Sequence, residues 1–426
     1  MLKRRAGLAL CLLLPAFILS GCSSIPFLSG GNTTKERTLV FSHWDTENQE
    51  VYKALAEAYA EEHTGLTIEV QAVAPEGYAD TYLKSVSDQK APDVLAVPAD
   101  DQFQRFVSSG KLMDLTKSKL LPEDYDSALA QIGSRDGHIW AVPATGSIPV
   151  VFFNKACYTQ NKLVSPLTVS DFIVNCSILQ QNGVTPFAMS TDGSGQYDTA
   201  DFAEGILANG LRDTPLLSNG KFFDSNTELD SGFMDTAGLA SALTASGLIA
   251  AKENSAQGHQ ALLEQFTKGA YAMIPGTTDD IKTLRALDGS FGFGFFPMPG
   301  SGTSAAGVFK ADMMLGISKG TKLKSDAEGF ISYLLSPSSQ ALICDKALSI
   351  PASNDVKLSD DDLAGAQALL NVSGEKRPSL FQRITSTEKS ICLKKLDLAY
   401  SGPTDDLDGF MQDWASKLKA LYDEKK

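Results

Sequence analysis

Histidine is scarce in this 426-residue sequence: His43, His63, His138 and His259 are the only four, and they stand far apart. No Cys-x-x-Cys occurs. Zinc sites draw on closely spaced Cys and His, so a structural zinc module is excluded and no metal is expected. The H-E-x-x-H helix and the dinucleotide glycine fingerprint are missing too. Carboxylate pairs abound, as an acidic chain requires, but none has a spacing that demands acid–base work. Triads need not be adjacent in sequence, so these gaps weigh against an enzyme without closing the question. Basic residues are the minority, 37 against 51 acidic ones, for a formal charge of −14. Binding nucleic acid needs clustered Lys and Arg, so that class is excluded. Beyond residue 20 no apolar run approaches the length of a membrane span.

What is present begins with a targeting pattern. Lys3, Arg4 and Arg5 precede an apolar stretch, 6–20, that is too short to span a bilayer comfortably. Leu19-Ser20-Gly21-Cys22 resembles the lipobox of bacterial lipoproteins. That resemblance implies a signal peptide over 1–21, lipidation of Cys22 and attachment to the outer face of the cell membrane. Residues 22–37 read as a flexible tether rich in Ser, Gly, Asn and Thr. Losing the three basic residues takes the formal charge from −14 to −17. Such a surface repels anionic lipid, so the membrane link reduces to the lipid. About 400 mature residues imply two domains or two large lobes.

Four cysteines remain in the mature chain: Cys157, Cys176, Cys344 and Cys392. An extracytoplasmic compartment permits disulfides, and the nearest neighbours pair as Cys157–Cys176 and Cys344–Cys392. The alternative is free buried thiols. Cys176 shares a helical stripe with Phe172 and Leu179, as a core thiol would.

Along the chain, Thr38–Ser42 reads as a strand, and Thr46 and Gln49 have capping-box spacing before a helix with Val51, Leu55, Ala58 and Tyr59 on one face. A strand over Thr67–Val73, a helix through Tyr82 and Val86, a strand at Val94–Val97 and a helix carrying Phe103 and Phe106 follow. This β-α alternation predicts an α/β fold with a mixed sheet flanked by helices. Further strands are expected at Val184–Met189, Tyr271–Pro275, Phe291–Phe296 and Met313–Ile317. The glycine-rich 300–307 loop lacks Walker spacing and reads as a surface loop. Leu407, Met411, Trp414, Leu418 and Leu421 form a helical stripe.

Asp136–Lys155 has a different pattern: an apolar run, a small patch at Ala144–Ser147, then Val150–Phe153. It reads as the chain leaving one globular unit for another, and clefts at such junctions favour ligands. Ligands of α/β sheets also sit at the carboxyl ends of strands. Two loops qualify. His43-Trp44-Asp45 offers an aromatic face beside a carboxylate; Asp100-Asp101-Gln102 offers two carboxylates and an amide. An aromatic face with multidentate acceptors suits a sugar. The plainer readings are a packed Trp44 and helix-capping aspartates.

Together these stretches resemble the extracellular solute-binding proteins of ATP-driven importers, in the carbohydrate-binding group that includes maltose-binding protein. The resemblance rests on Thr38–Gly65, Ala91–Leu112, Asp136–Lys155, Phe266–Gly276 and Phe291–Gly300 with Ser318–Pro337. It implies a two-lobed periplasmic-binding-protein-like fold with three interlobe crossings, at 136–155, near Phe295–Pro297 and near Lys324–Ala327. The lobes would be 38–145 plus 296–326 and 146–295 plus 327–426. It further implies a monomeric, cofactor-free receptor, not an enzyme, that passes a carbohydrate to membrane permease subunits. Carried onto matching positions, the binding residues are His43, Trp44, Asp45, Asp100, Asp101, Gln102, Ser147, Asp192, Tyr197, Thr277 and Thr278. The family often has Trp after Ala272-Met273; here Thr277-Thr278-Asp279 stands instead. That departure points away from a long maltodextrin, towards shorter sugars, other oligosaccharides or a more polar solute. A sensory or interaction lipoprotein of the same fold is the alternative function.

Overall fold

The strand Val94–Pro98 shows why the sheet forms: Val94, Leu95, Ala96 and Val97 are all buried, so it must be covered on both faces. A computed structural model of the chain describes residues 36–87, 90–123, 125–190, 198–210, 248, 258–299, 305–371, 376–384 and a few positions beyond. The first half comprises β1 (Arg37–His43), α1 (Gln49–Glu61), β2 (Leu66–Ala72), α2 (Tyr78–Ser87), β3 (Val94–Pro98), α3 (Phe103–Ser108), the short pair β4 (Ser134–Arg135) and β5 (His138–Ile139), β6 (Ala141–Ser147), β7 (Pro149–Asn154) and α4 (Lys155–Gln160). Then come α5 (Val169–Gln181), α6 (Asp198–Gly210), α7 (Gly258–Thr267), β8 (Met273–Thr277), α8 (Asp280–Leu287), β9 (Phe293–Pro297) and β10 (Val308–Ile317). The chain continues through α9 (Lys324–Leu334), α10 (Pro337–Ala347), β11 (Ile350–Pro351), α11 (Asp361–Leu370) and β12 (Arg377–Pro378).

Two main sheets result. The larger runs β11-β6-β10-β3-β1-β2, with β12 on β10; the smaller runs β8-β7-β9. β1 is parallel to β2 and β3, while β10 is antiparallel to β3 and β6, so the large sheet is mixed as expected. Tyr52, Leu55, Ala56 and Tyr59 form the buried face of α1. The capping box at Thr46 does not form: Asn48 is the N-cap and Asp45 accepts its amide at 3.3 Å. A reciprocal box forms at α5, where Thr168 and Asp171 bond each other's amides at 3.1 Å.

The chain passes from the large sheet to the small one at Ile148, between β6 and β7, and returns between β9 and β10. The small patch is the end of β6, not a gap between strands. A third crossing near Lys324–Ala327 is not made there. Phe330 of α9 packs edge-on against Phe41 of β1 at 5.6 Å, and β11 pairs with β6, so the chain from 327 to 351 stays on the large sheet. Val184–Met189 contributes only an isolated bridge, Phe187 to Met273, in place of a strand.

The disulfide expectation is overturned. Cys157, Cys176 and Cys344 carry free thiols; Cys392 lies outside the described residues. Cys176 and Cys344 are fully buried in the core, and burial pushes both thiols up to about 12. The 407–421 stripe and the 300–304 part of the glycine-rich loop also lie outside the described residues. Among the described residues, no helix is long and apolar enough to cross a membrane.

Candidate functional site

The site is built on the crossing. Ile148 is clamped on both sides by Thr278: its amide donates to Thr278 Oγ1 at 3.1 Å, and its carbonyl accepts the Thr278 amide at 3.0 Å. At Gly146, beside this clamp, a Cβ would meet the Lys310 carbonyl at 2.4 Å and the Phe309 ring at 2.6 Å, so only glycine lets β6 and β10 approach. β10 carries a bulge here, with its register shifting between Ala311 and Met313. Asp312 is the residue left without a partner, and a bulge re-aims such a side chain.

Ser147 donates to Asp312 Oδ1 at 3.4 Å and also supports Asp279, which follows β8. Asp279 and Asp312 present open surface to solvent although protein surrounds both closely. Poor solvation raises Asp279 to about 6, and poor solvation plus the charge of Asp279 raises Asp312. Burial works against the neighbouring Lys310 ammonium, but Asp201, Glu204 and Asp312 outweigh it and hold it charged. Lys310 reaches Asp201 of α6 at 2.7 Å, a bond from the large sheet to a helix of the smaller one.

Lys310 also lines a cavity of about 220 Å³. Asp100, Asp101 and Arg135 line it from the large sheet's side, Asp201 and Glu204 from α6, with Lys310 between. Glu204 is almost wholly buried and accepts from Ser379 Oγ at 2.5 Å and the Phe381 amide at 3.0 Å; its burial raises its pKa. The Arg135 guanidinium lies 4.5 Å from the Phe103 ring centre and donates to the carbonyls of Ile132, Ser134 and Gln382. Among the described residues no cluster of three or more potential metal ligands occurs.

Of the residues expected from sequence, Asp100 and Asp101 reach the cavity wall. Gln102 stands beside them, its amide donating to Asp100 Oδ1 at 2.8 Å, so Asp100 also caps the turn. Ser147 does not line the cavity; it is buried opposite Lys310 in the β6–β10 pairing and bonds Asp312. His43 and Thr278 expose no surface and so touch no ligand in this conformation. His43 is sealed against Phe41 and Tyr52, and Thr278 serves the crossing. Trp44 is half-buried, edge-on to Tyr78 at 5.0 Å, and Asp45 is occupied by Asn48. The Thr277 amide donates to Asp280 at 2.9 Å. Asp192 and Tyr197 lie outside the described residues. Sequence reasoning missed Lys310, Asp312, Asp201 and Glu204. Its one usable signal was two charges, Lys310 and Asp312, inside the otherwise apolar run Val308–Ile317.

Comparison with known proteins places this geometry. The family model described as bacterial extracellular solute-binding protein matches residues 54–369. An uncharacterized extracellular-binding protein of an ABC transporter in Pyrococcus horikoshii is 26% identical over 187 residues, 40% of this chain and 42% of that protein. The multiple sugar-binding protein of Streptococcus mutans is 21% identical over 347 residues, 78% of each chain. The apo structure of RafE from Streptococcus pneumoniae superposes with a TM-score of 0.72 at 18% identity, covering 91% of this chain and 98% of RafE. RafE in complex with raffinose gives 0.62 at 19% identity, covering 90% and 99%. The two-lobed α/β architecture is thereby shared.

Proposed function

We propose that this chain, which belongs to the bacterial extracellular solute-binding proteins, captures a sugar or short oligosaccharide in the cleft beside Ile148 and delivers it to the permease of an ATP-driven importer. The family acts outside the cytoplasm and comprises receptors, not enzymes. The observation that carries the sugar reading is the polar cavity flanking the crossing, walled by Asp100, Asp101, Arg135, Asp201 and Lys310 from both sheets. Hydroxyls leaving water need such a set of donors and acceptors. The names of the Streptococcus mutans protein and of the RafE complex agree with it. Among the described residues lining the cavity Phe381 is the one aromatic, and it is nearly buried, which favours a short or highly polar sugar over a long stacked chain. Lipidation at Cys22 would hold the receptor, a monomer, beside its permease.

The test is a thermal-shift panel on the mature protein with raffinose, maltose, maltotriose, xylobiose and chitobiose. Stabilisation grows with ligand concentration over Kd, about 2.7 kcal/mol at a hundredfold excess. A concentration-dependent rise with at least one sugar is expected. Flat curves across the panel would overturn the sugar reading and favour an interaction subunit or a different polar solute.

A further inference from the structure

His259 of α7 stands between two carboxylates. Nδ1 lies 2.5 Å from Asp198 Oδ1, and Nε2 lies 2.9 Å from Asp280 Oδ1. A neutral imidazole has one donor and one acceptor, so with both carboxylates ionised only the protonated ring satisfies both partners. Each carboxylate holds a further piece of chain. Asp198, the first residue of α6 and 1% exposed, accepts the Ser190 amide at 2.6 Å through its other oxygen. Asp280, the first residue of α8, accepts the Thr277 amide at 2.9 Å. At Gly276 a Cβ would sit 2.5 Å from Asp280 Oδ2, so β8 leaves room for this carboxylate and no side chain. One ring thus ties the start of α6, the start of α8, the end of β8 and the segment ending at Ser190. Asp201, the partner of Lys310, is three residues along α6 from Asp198, and Asp279 adjoins Asp280.

We propose that His259, as an imidazolium, is the positioning residue for the smaller sheet's wall of the cleft: it fixes the starts of α6 and α8, and through them Asp201 and Asp279, without itself contacting ligand. This rests on the cleft being the ligand site, but its first tests need no ligand. Among the described residues, the charged groups facing the ring are Asp198 from α6 and Asp280 from α8, with Asp201 and Asp279 acting behind them. Burial opposes the ring's charge, yet the two carboxylates raise His259 to about 10. Burial also raises Asp198, with His259 opposing that rise.

Nitrogen-15 spectra of the histidine rings test the charge. Both ring nitrogens of His259 should carry protons at pH 8 and lose one only above pH 9. A neutral ring at pH 8 overturns the proposal. Amide exchange at pH 7 tests the positioning in His259→Gln and His259→Phe. Exchange at Ser190 and Thr277 should rise by about tenfold or more, with the β1–β3 amides unchanged. If His259→Phe does not fold, His259→Gln decides; unchanged exchange there overturns the proposal. With any panel sugar that stabilises the wild type, His259→Gln should weaken affinity about tenfold, and undiminished affinity overturns the link to the cleft. If no panel sugar binds the wild type, the sugar reading fails while the spectra and exchange still decide the role of His259 in the wall.

Discussion

His43 shows how one residue can be read correctly in place and wrongly in role. It ends β1, where a cleft loop begins, yet its ring is fully buried and neither nitrogen has a hydrogen-bond partner among the described residues. Burial accordingly lowers its pKa to about 4. An unfolded histidine takes a proton near pH 6.5 and this one near 4, so the unfolded state binds the proton first. The stability His43 retains at neutral pH is therefore lost as pH falls from about 6.5 towards 4. His43→Leu removes the titration and the unpaired nitrogens, whose burial costs about 1–3 kcal/mol. Urea unfolding should find the variant as stable as the wild type or more so at pH 7, with its advantage growing at pH 5. An advantage that shrinks on acidification would contradict the buried, unpaired ring. Trp44, the next residue of the same loop, stays half-open.

Among elements, β6 with β10 decides the site, and it was half legible. The sequence Ala141–Ser147 then Pro149–Asn154 announced a passage between sheets, because apolar runs separated by small residues can cross without burying charge. The clamp of Thr278 on Ile148 was not legible, because it joins positions 130 residues apart. The bulge at Asp312 was hidden for the same reason: register is a property of two strands. α9 was assigned to the wrong sheet since its stripe of Phe330, Ile331 and Leu334 says that a core exists, not which one. The loop after β3, expected at a cleft from the parallel-sheet rule alone, contributes Asp100 and Asp101 to the cavity wall. Gly146 tests the element directly. A methyl there collides with the backbone of β10, so Gly146→Ala should cost about 1–3 kcal/mol. Calorimetry should show a lowered Tm, and an unchanged Tm would mean that β6 and β10 are not so closely apposed.

At the scale of the whole molecule, the two sheets meet through opposed charge effects. Lys310 and Asp201 draw α6 towards β10, whereas Asp279 from the smaller sheet and Asp312 from the larger repel each other over Ser147. Asp279 is raised to about 6 and Asp312 is raised as well, so in the folded state these carboxyls hold protons more tightly than in the unfolded chain. For an acid shifted upward, the folded state is penalised above its folded pKa, and the penalty fades as pH falls through that value towards the unfolded one. Asp312→Asn keeps an oxygen for the Ser147 hydroxyl and removes the second charge. It should therefore melt at a higher temperature than the wild type at pH 8, and the gap should narrow as pH falls towards the ordinary carboxylate range near 4. The difference between the two proteins isolates the pair from His43, which titrates equally in both. A gap that persists unchanged from pH 8 to pH 4 would mean that the stabilisation is not electrostatic. A wild type that melts higher throughout would mean that Asp312 is held by a cation, and that the sheets are joined here by attraction alone.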